Sequence, residues 1–310
     1  MKSHGSRERK IKSYAKVNLS LDVTGIREDG YHLIETVMQQ IRLADNIYIK
    51  WSETDCEGIS VSLTTNKPYL PTDERNLAYR AAILMSQYAK VSGKLDIQIE
   101  KKIPVAAGLG GGSSNAAAVM VELNKLWHTG FNTRELCEIS KPLGADVPFL
   151  VLTHNTEYEC AMCTGIGDEL KALRYGMRGY IVLAKPAFGI STKEVFQNID
   201  KYVIGKRPNS KALIYALKHK KKSELFDNMV NVLEEYTLKS HPAVADLKKK
   251  IGQTAGVKTA LMSGSGPTVF GVFGTRSEAR NSCMLLRAEG YEAYWTQTMK
   301  EIGGRKNAEF

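Results

Sequence analysis

The run Pro104-Val105-Ala106-Ala107-Gly108-Leu109-Gly110-Gly111-Gly112-Ser113-Ser114-Asn115-Ala116-Ala117-Ala118 constrains this chain more than any other stretch. Four glycines in five positions let successive backbone N–H groups converge with no Cβ in the way. A turn that only caps a helix needs fewer. The pattern then becomes helical from about Ser114 to Trp127, so the loop feeds a helix N-terminus. There the first amides lack internal partners and the dipole favours an anion. Ser113 and Ser114 read as capping residues, and Ala116 to Ala118 as a helix start thin enough for a ligand to approach. No Lys follows the glycines in Walker A form, and Ser113 holds the place of the third glycine of a G-x-G-x-x-G motif. The expectation is a phosphate cradle of another kind.

The elements around the loop alternate. Ile11 to Val23 has strand periodicity, Gly25 to Gly30 is a turn, and Leu33 to Leu43 and Asn46 to Trp51 read as further strands. An amphipathic helix starts behind an Asp73 or Asn76 cap and covers Asn76 to Leu84; Lys94 to Lys101 is a strand; Thr133 to Lys141 is a helix. The second half restarts with a short strand, Tyr180 to Ala184. Helices are expected over Ser191–Ile199, Ser210–His219, Asp227–Lys239 and Pro242–Ile251. Strands Thr259–Met262 and Thr268–Phe273, a helix Ser277–Ala288 and a strand Glu292–Gln297 close it. A β-α start followed by β-β-α-β suggests a ferredoxin-like layer. A length of 310 residues fits two domains of about 150 residues each, drawn at 1–165 and 166–310.

Composition excludes several classes. With 43% hydrophobic and 25% charged residues the chain is neither disordered nor fibrous. No apolar stretch approaches the roughly 18 residues of a membrane span, and no signal peptide is visible, so no membrane partner and a cytoplasmic location are expected. Five scattered cysteines fit reduced thiols, and the single Cys160-Ala-Met-Cys163 lacks the second pair that zinc requires. The net charge of +10 includes the runs His219–Lys222 and Lys248–Lys250. These sit at helix ends beside Glu224 and Asp246 with no interleaved aromatics, so a solvated face is expected rather than a nucleic-acid partner.

Three further segments are weak singly. Tyr14-Ala15-Lys16-Val17-Asn18-Leu19 puts a Lys and an Asn on a strand, Gly144-Ala145-Asp146-Val147-Pro148 puts a carboxylate at a turn, and Ser263-Gly264-Ser265-Gly266-Pro267-Thr268 joins two strands. Together with the Gly-rich loop, in this order and spacing, they resemble the GHMP kinase superfamily. Thr24-Gly25, Asp29-Gly30-Tyr31-His32 and Thr164-Gly165-Ile166-Gly167 extend the likeness from about Ile11 to Gln297. They are similar to the branch that phosphorylates the 2-hydroxyl of a cytidylylated sugar alcohol in non-mevalonate isoprenoid biosynthesis.

The resemblance implies an α+β, two-domain GHMP kinase fold. Its N-terminal domain would be a ribosomal-S5-like α/β unit that binds ATP and carries catalysis. Its C-terminal domain would be a ferredoxin-like α/β unit that closes the substrate cleft. Lys16 and Asp146 would be the catalytic pair. Ala106, Ala107, Gly108, Leu109, Gly110, Gly111, Gly112, Ser113, Ser114, Asn115 and Ala116 would wrap the ATP phosphates, with Asn76 on the adenine side. Tyr31 would stack on the cytosine and His32 hydrogen-bond it, with Asn18, Thr192 and Phe196 also facing the acceptor. ATP is the implied co-substrate, with Mg²⁺ accompanying it and held by Ser114 or by water. No metal site of the protein's own is implied, and a monomer or weak homodimer is expected. Two features depart from the family pattern: Thr153–Cys160 is longer and lacks glycines, and Met38 stands where an aromatic often helps enclose the base. The competing readings are a kinase of mevalonate, homoserine or a sugar, and a non-catalytic binding protein on the same fold.

Overall fold

The computed structural model describes residues 6–55 and 57–299, which leaves Cys56 outside the described residues. The first half runs β1 (Arg7–Ile26), β2 (His32–Glu53), β3 (Ile59–Thr65), α1 (Leu77–Ala89), β4 (Gly93–Glu100), α2 (Gly111–Leu126), α3 (Thr133–Ser140), α4 (Val147–Asn155), β5 (Cys160–Thr164) and β6 (Glu169–Leu173). The sheet order is β3-β4-β2-β5-β6, with β1 also paired to β2. The two strands expected at Leu33–Leu43 and Asn46–Trp51 are one continuous β2. It pairs with β1 from Arg7↔Trp51 to Ile26↔His32 through irregularities that absorb the broken alternation. Strands β5 and β6 are only five residues long and lack a long alternating pattern, while β3, whose Ile59, Val61 and Leu63 do alternate, is not among the strands expected.

The second half comprises β7 (Tyr180–Lys185), α5 (Thr192–Ile199), α6 (Ser210–His219), α7 (Lys222–Asp227), α8 (Glu234–Ser240), α9 (Pro242–Gln253), β8 (Val257–Met262), β9 (Val269–Phe273), α10 (Arg276–Ala288) and β10 (Glu292–Gln297). Its antiparallel order β10-β7-β9-β8 is the ferredoxin-like arrangement expected. The single helix expected over Asp227–Lys239 is instead a link followed by α8. The backbone on either side of Asn231 in that link bridges to β1, with Val230 O accepting from Leu21 N and Val232 N donating to Leu21 O, both at 2.9 Å, which takes it out of a helix. The Asn231 side chain donates to the carbonyls of Met262 and Gly264, both at 2.8 Å. The chain leaves the first sheet only after Leu173, because β6 pairs with β5, a few residues past the division drawn at 165/166.

Strand periodicity of two builds three cores. On β7, Ile181 and Leu183 face one core while Val182 and Ala184 face another, formed with α9 and α10. The first of these also takes Ala15, Val17 and Leu19 from β1 and Ile103, Ala107 and Leu109 from the Gly-rich loop. The two halves therefore share a core rather than meeting across a linker. A third core lies between the first sheet and α1–α4. Helix α2 is buried at every residue from Ser114 to Leu123, the signature of a central helix. Cys160 and Cys163 lie in β5, three positions apart on opposite faces, which suits packing and not a shared ligand. Among the described residues, no helix is long and apolar enough to cross a membrane.

Candidate active site

With Ala15, Val17 and Leu19 turned toward the shared core, the alternate positions of β1 present Lys16 and Asn18 on the other face. Both are buried. Lys16 Nζ donates to Asn18 Oδ1 at 2.9 Å and lies 3.3 Å from Asp146 Oδ2. Asn18 is fixed in turn by donating to Thr36 Oγ1 at 2.8 Å. Asp146 occupies the N-cap position of α4, but its side chain makes no capping bond. Its carboxylate is 30% exposed while the Lys16 side chain is 5% exposed. The arrangement is a carboxylate at the surface of a cleft, held from beneath by an oriented ammonium. Such a carboxylate can accept or orient the proton of a bound hydroxyl.

The Gly-rich loop lies against this pair. The backbone N–H of Lys16 donates to Leu109 O at 3.0 Å. Gly110, at φ +66°, is the N-cap of α2 and has no side-chain cap, so the first amides of the helix are open to an anion. Two glycines are fixed by close approach as well as by positive φ. A Cβ at Gly108 would lie 2.1 Å from Ser263 O, and one at Gly110 would lie 3.0 Å from Lys16 Cγ. Ser263 Oγ donates to Gly108 O at 2.9 Å, so the second Gly-rich turn props the first. Asn231, which holds that turn, has no local motif that could have announced it.

The structure corrects the expectation for the residues that follow. Ser113 and Ser114 do not cap the helix, and Ser114, Asn115 and Ala116 are buried on the side away from the open amides. Asn115 donates to Ser13 Oγ at 2.9 Å, Ser13 to Ser114 Oγ at 2.7 Å, and Ser114 to Tyr14 O at 2.6 Å. With its proton so placed, Ser114 accepts from His154 Nε2 at 3.1 Å. This chain pins α2 to β1 and leaves the Ser114 hydroxyl unavailable to a metal. Ala116 to Ala118 fill the core beside α1 and α4 instead of thinning a surface.

A second brace was not foreseen. The fully buried Asp45 carboxylate accepts from the backbone of Lys102 at 2.6 Å and Ile103 at 2.8 Å, from Asn115 Nδ2 at 2.8 Å, and from Lys101 Nζ. It therefore ties the end of β4 to the start of α2 and closes the loop between them. Burial pushes the Lys101 pKa below its usual value, and Asp45 opposes that shift. Sequence alone shows Asp45 only as one acid between two expected strands.

The remaining expected residues divide. Asn76 caps α1 by accepting from Ala78 N at 3.0 Å, and the start of α1 reaches the loop where Leu77 faces Gly112. Beyond the loop, a cleft of about 330 Å³ is lined by Ile103, Val105, Ala106, Lys67, Tyr69 and Tyr294, among others. Of these, Lys67, Tyr69 and Tyr294 come from segments the sequence did not connect. Thr192, the first residue of α5, hydrogen-bonds Ser265 of the second turn at 2.9 Å. One turn along α5, Phe196 packs on the His32 ring with centroids 5.3 Å apart. Tyr31 stands 61% exposed with the Arg27 guanidinium 5.7 Å over its ring. Phe196 thus touches the imidazole rather than facing Tyr31 directly. The segment Thr153–Cys160 comprises the last three residues of α4, a link of four residues and the first residue of β5, so it lies at the opposite end of α4 from Asp146. Met38 is buried in the core of the first half.

Two family models match the chain: the GHMP kinases N terminal domain over residues 76–154 and the GHMP kinases C terminal over residues 213–282. A 4-diphosphocytidyl-2-C-methyl-D-erythritol kinase of Clostridium tetani is 41% identical over 290 residues, covering 94% of this chain and 100% of its own. One from Alkaliphilus oremlandii is 43% identical over 297 residues, with 94% and 98% covered. A crystal structure of 4-(cytidine 5'-diphospho)-2C-methyl-D-erythritol kinase superposes with a TM-score of 0.77 at 31% identity, covering 94% of this chain and all of its own. A homoserine kinase structure from Cytophaga hutchinsonii, 17% identical with a TM-score of 0.67 and 94% of each chain covered, shares the fold.

Proposed function

The chain belongs to the GHMP kinases, in the 4-diphosphocytidyl-2-C-methyl-D-erythritol kinase family, and from that membership we infer the reaction its site performs. It transfers the γ-phosphoryl group of ATP to the 2-hydroxyl of 4-diphosphocytidyl-2-C-methyl-D-erythritol, giving the 2-phosphate and ADP. The observation that carries this at the level of atoms is the Lys16–Asp146 pair beside the open N-terminus of α2.

In this reading the amides of the Gly108–Ser113 segment hold the transferring phosphates, and the helix dipole adds attraction. Asp146 accepts the hydrogen bond of the attacking hydroxyl and fixes its line of approach. Lys16 holds that carboxylate and offsets the charge that spreads over the transferring group. A largely dissociative transition state asks for the hydroxyl proton late, so positioning outweighs base strength. Positioning can be worth about 7–11 kcal/mol in ideal intramolecular cases. Mg²⁺ arrives with the nucleotide as part of the substrate complex. Tyr31 and His32 hold the cytosine, and Asn18 and Thr192 lie toward the acceptor's reacting end. The cleft between Lys67, Tyr69 and Ala106 suits the nucleoside of ATP. A cytoplasmic setting, where thiols stay reduced, fits the free, buried cysteines of the described chain, and the enzyme is read as a monomer or weak homodimer.

The test is Mg²⁺-dependent ADP release against cytidine-diphosphate methylerythritol, methylerythritol phosphate, mevalonate, homoserine and galactose. Turnover is expected on the first alone, and robust turnover on another acceptor would reassign Tyr31 and His32. Asp146→Asn should lower kcat by about 10²–10⁴-fold, the usual span for a positioned acid or base, with little change in either KM. Near-wild-type turnover in that variant would remove the role given to Asp146.

A further inference from the structure

The His32 ring is fixed on two sides. Phe196 packs on its face, and Nε2 lies 2.9 Å from Asp200 Oδ2. The side chain is 9% exposed, and among the described residues Nδ1 has no hydrogen-bond partner. Asp200 itself sits at the C-cap of α5, where a carboxylate meets the negative end of the helix dipole. Nothing in α5 accounts for an acid at that end. Its one ion pair among the described residues is with His32, 168 positions away in sequence.

A carboxylate only accepts hydrogen bonds, so the proton in this contact is on Nε2. In the neutral imidazole that leaves Nδ1 with a bare lone pair. The location of this atom along α5 also matters. Thr192 starts the helix on the second Gly-rich turn, and Phe196 and Asp200 follow at roughly 6 and 12 Å along it at 1.5 Å per residue. One helix therefore runs from the phosphoryl end of the cleft to the imidazole.

We propose that Asp200 is a specificity-determining positioning residue, which locks His32 in the Nε2–H tautomer so that Nδ1 accepts from the exocyclic amine of a cytosine. This rests on the acceptor reading given above. A uracil presents a keto oxygen at the same place and meets the Nδ1 lone pair with another lone pair. The base is thus read through a tautomer that a third residue imposes.

The experiment compares kcat/KM for the cytidylyl acceptor and for its uridine-diphosphate counterpart in wild type, Asp200→Lys, Asp200→Ala and Asp200→Glu. ¹⁵N spectra of imidazole-labelled protein are recorded alongside. Wild type should show a protonated Nε2 and a bare Nδ1. Asp200→Lys supplies a donor, moves the proton to Nδ1, and lowers the cytidine-over-uridine ratio by about tenfold or more. Asp200→Ala removes the carboxylate without adding a donor and lowers the ratio by a smaller factor, while Asp200→Glu keeps both tautomer and ratio. The KM for ATP stays constant throughout. The proposal is overturned by a protonated Nδ1 in wild type, by a tautomer indifferent to residue 200, or by a ratio that stays put when the tautomer reverses. A wild type inactive on the cytidylyl acceptor would instead sink the function reading, and it would do so before any variant is made.

Discussion

Gly108 admits no side chain, because the Ser263 carbonyl oxygen occupies the place a Cβ would take. Gly108→Ala should therefore push the loop off its prop and raise the KM for ATP by about tenfold or more, while the acceptor KM moves little. Nucleotide titration of the variant checks this, and an unchanged ATP affinity would mean the prop does not shape the cradle. His154 carries a different consequence. Although part of its side chain remains accessible, burial around the ring, reinforced by Lys125, pushes its pKa down to about 4. The folded value is below the unfolded one near 6.5, so as pH falls between those values the unfolded chain takes up the proton first. Stability should fall by about 2–3 kcal/mol across that window and flatten below it. Urea unfolding at pH 7 and pH 4.5 should show a smaller pH effect in His154→Gln, and equal slopes would reject the assignment. The glycines stood out as a short local pattern, whereas Lys16 and Asp146 stood out only through the resemblance that their segments carry together. Asp200 and Asn231 did not stand out, because their partners lie 168 and about 30 residues away and no propensity connects them.

Among the elements, α2 shows how a correct expectation can have the wrong internal logic. Its C-terminal end falls where the sequence suggests, but its start, expected at about Ser114, lies at Gly111, because glycines read as loop rather than as a first helical turn. The role of its first turn was not legible either, because Ser and Asn near a helix start read as caps unless the neighbouring strand is known. Here β1 and Asp45 claim those side chains from behind. Asp45→Asn leaves the Lys101 ammonium buried without its counter-charge and weakens two loop amides' acceptor. Breaking a buried pair from one side costs about 3–5 kcal/mol. Denaturant unfolding should show a loss of that order, and a loss below 1 kcal/mol would mean that the brace is redundant. Strand β2 makes the same point for sheets. Its irregular pairing with β1 interrupts the alternation, so one strand of 22 residues reads as two.

At the scale of the whole molecule, Ile103, Ala107 and Leu109 of the cradle share a core with Leu183 and Phe270 of the second sheet. The division into two halves is real in topology but incomplete in packing, since each half has a core largely its own and a further core is shared. A fragment ending at residue 173 should keep strand and helix content by circular dichroism yet bind ATP at least tenfold more weakly than the full chain. Full ATP affinity in the fragment would show that the first half shapes the cradle alone. The two-domain pattern was visible in sequence because each sheet has its own order of elements. The shared core was not, because an inward-facing apolar residue looks the same whichever sheet it meets.

The bond from Ser263 to Gly108 spans 155 residues of chain, and that separation sets an order of events during synthesis. At about 5–20 residues per second, roughly 8–30 s pass between the emergence of the loop and of the turn that props it. For that interval the nascent chain carries the glycines of the proposed phosphate cradle without the turn that props them. If this loop holds the nucleotide as proposed, full affinity therefore arrives late, when the strand pair carrying the turn closes on the loop, and an unfinished chain competes only weakly for ATP.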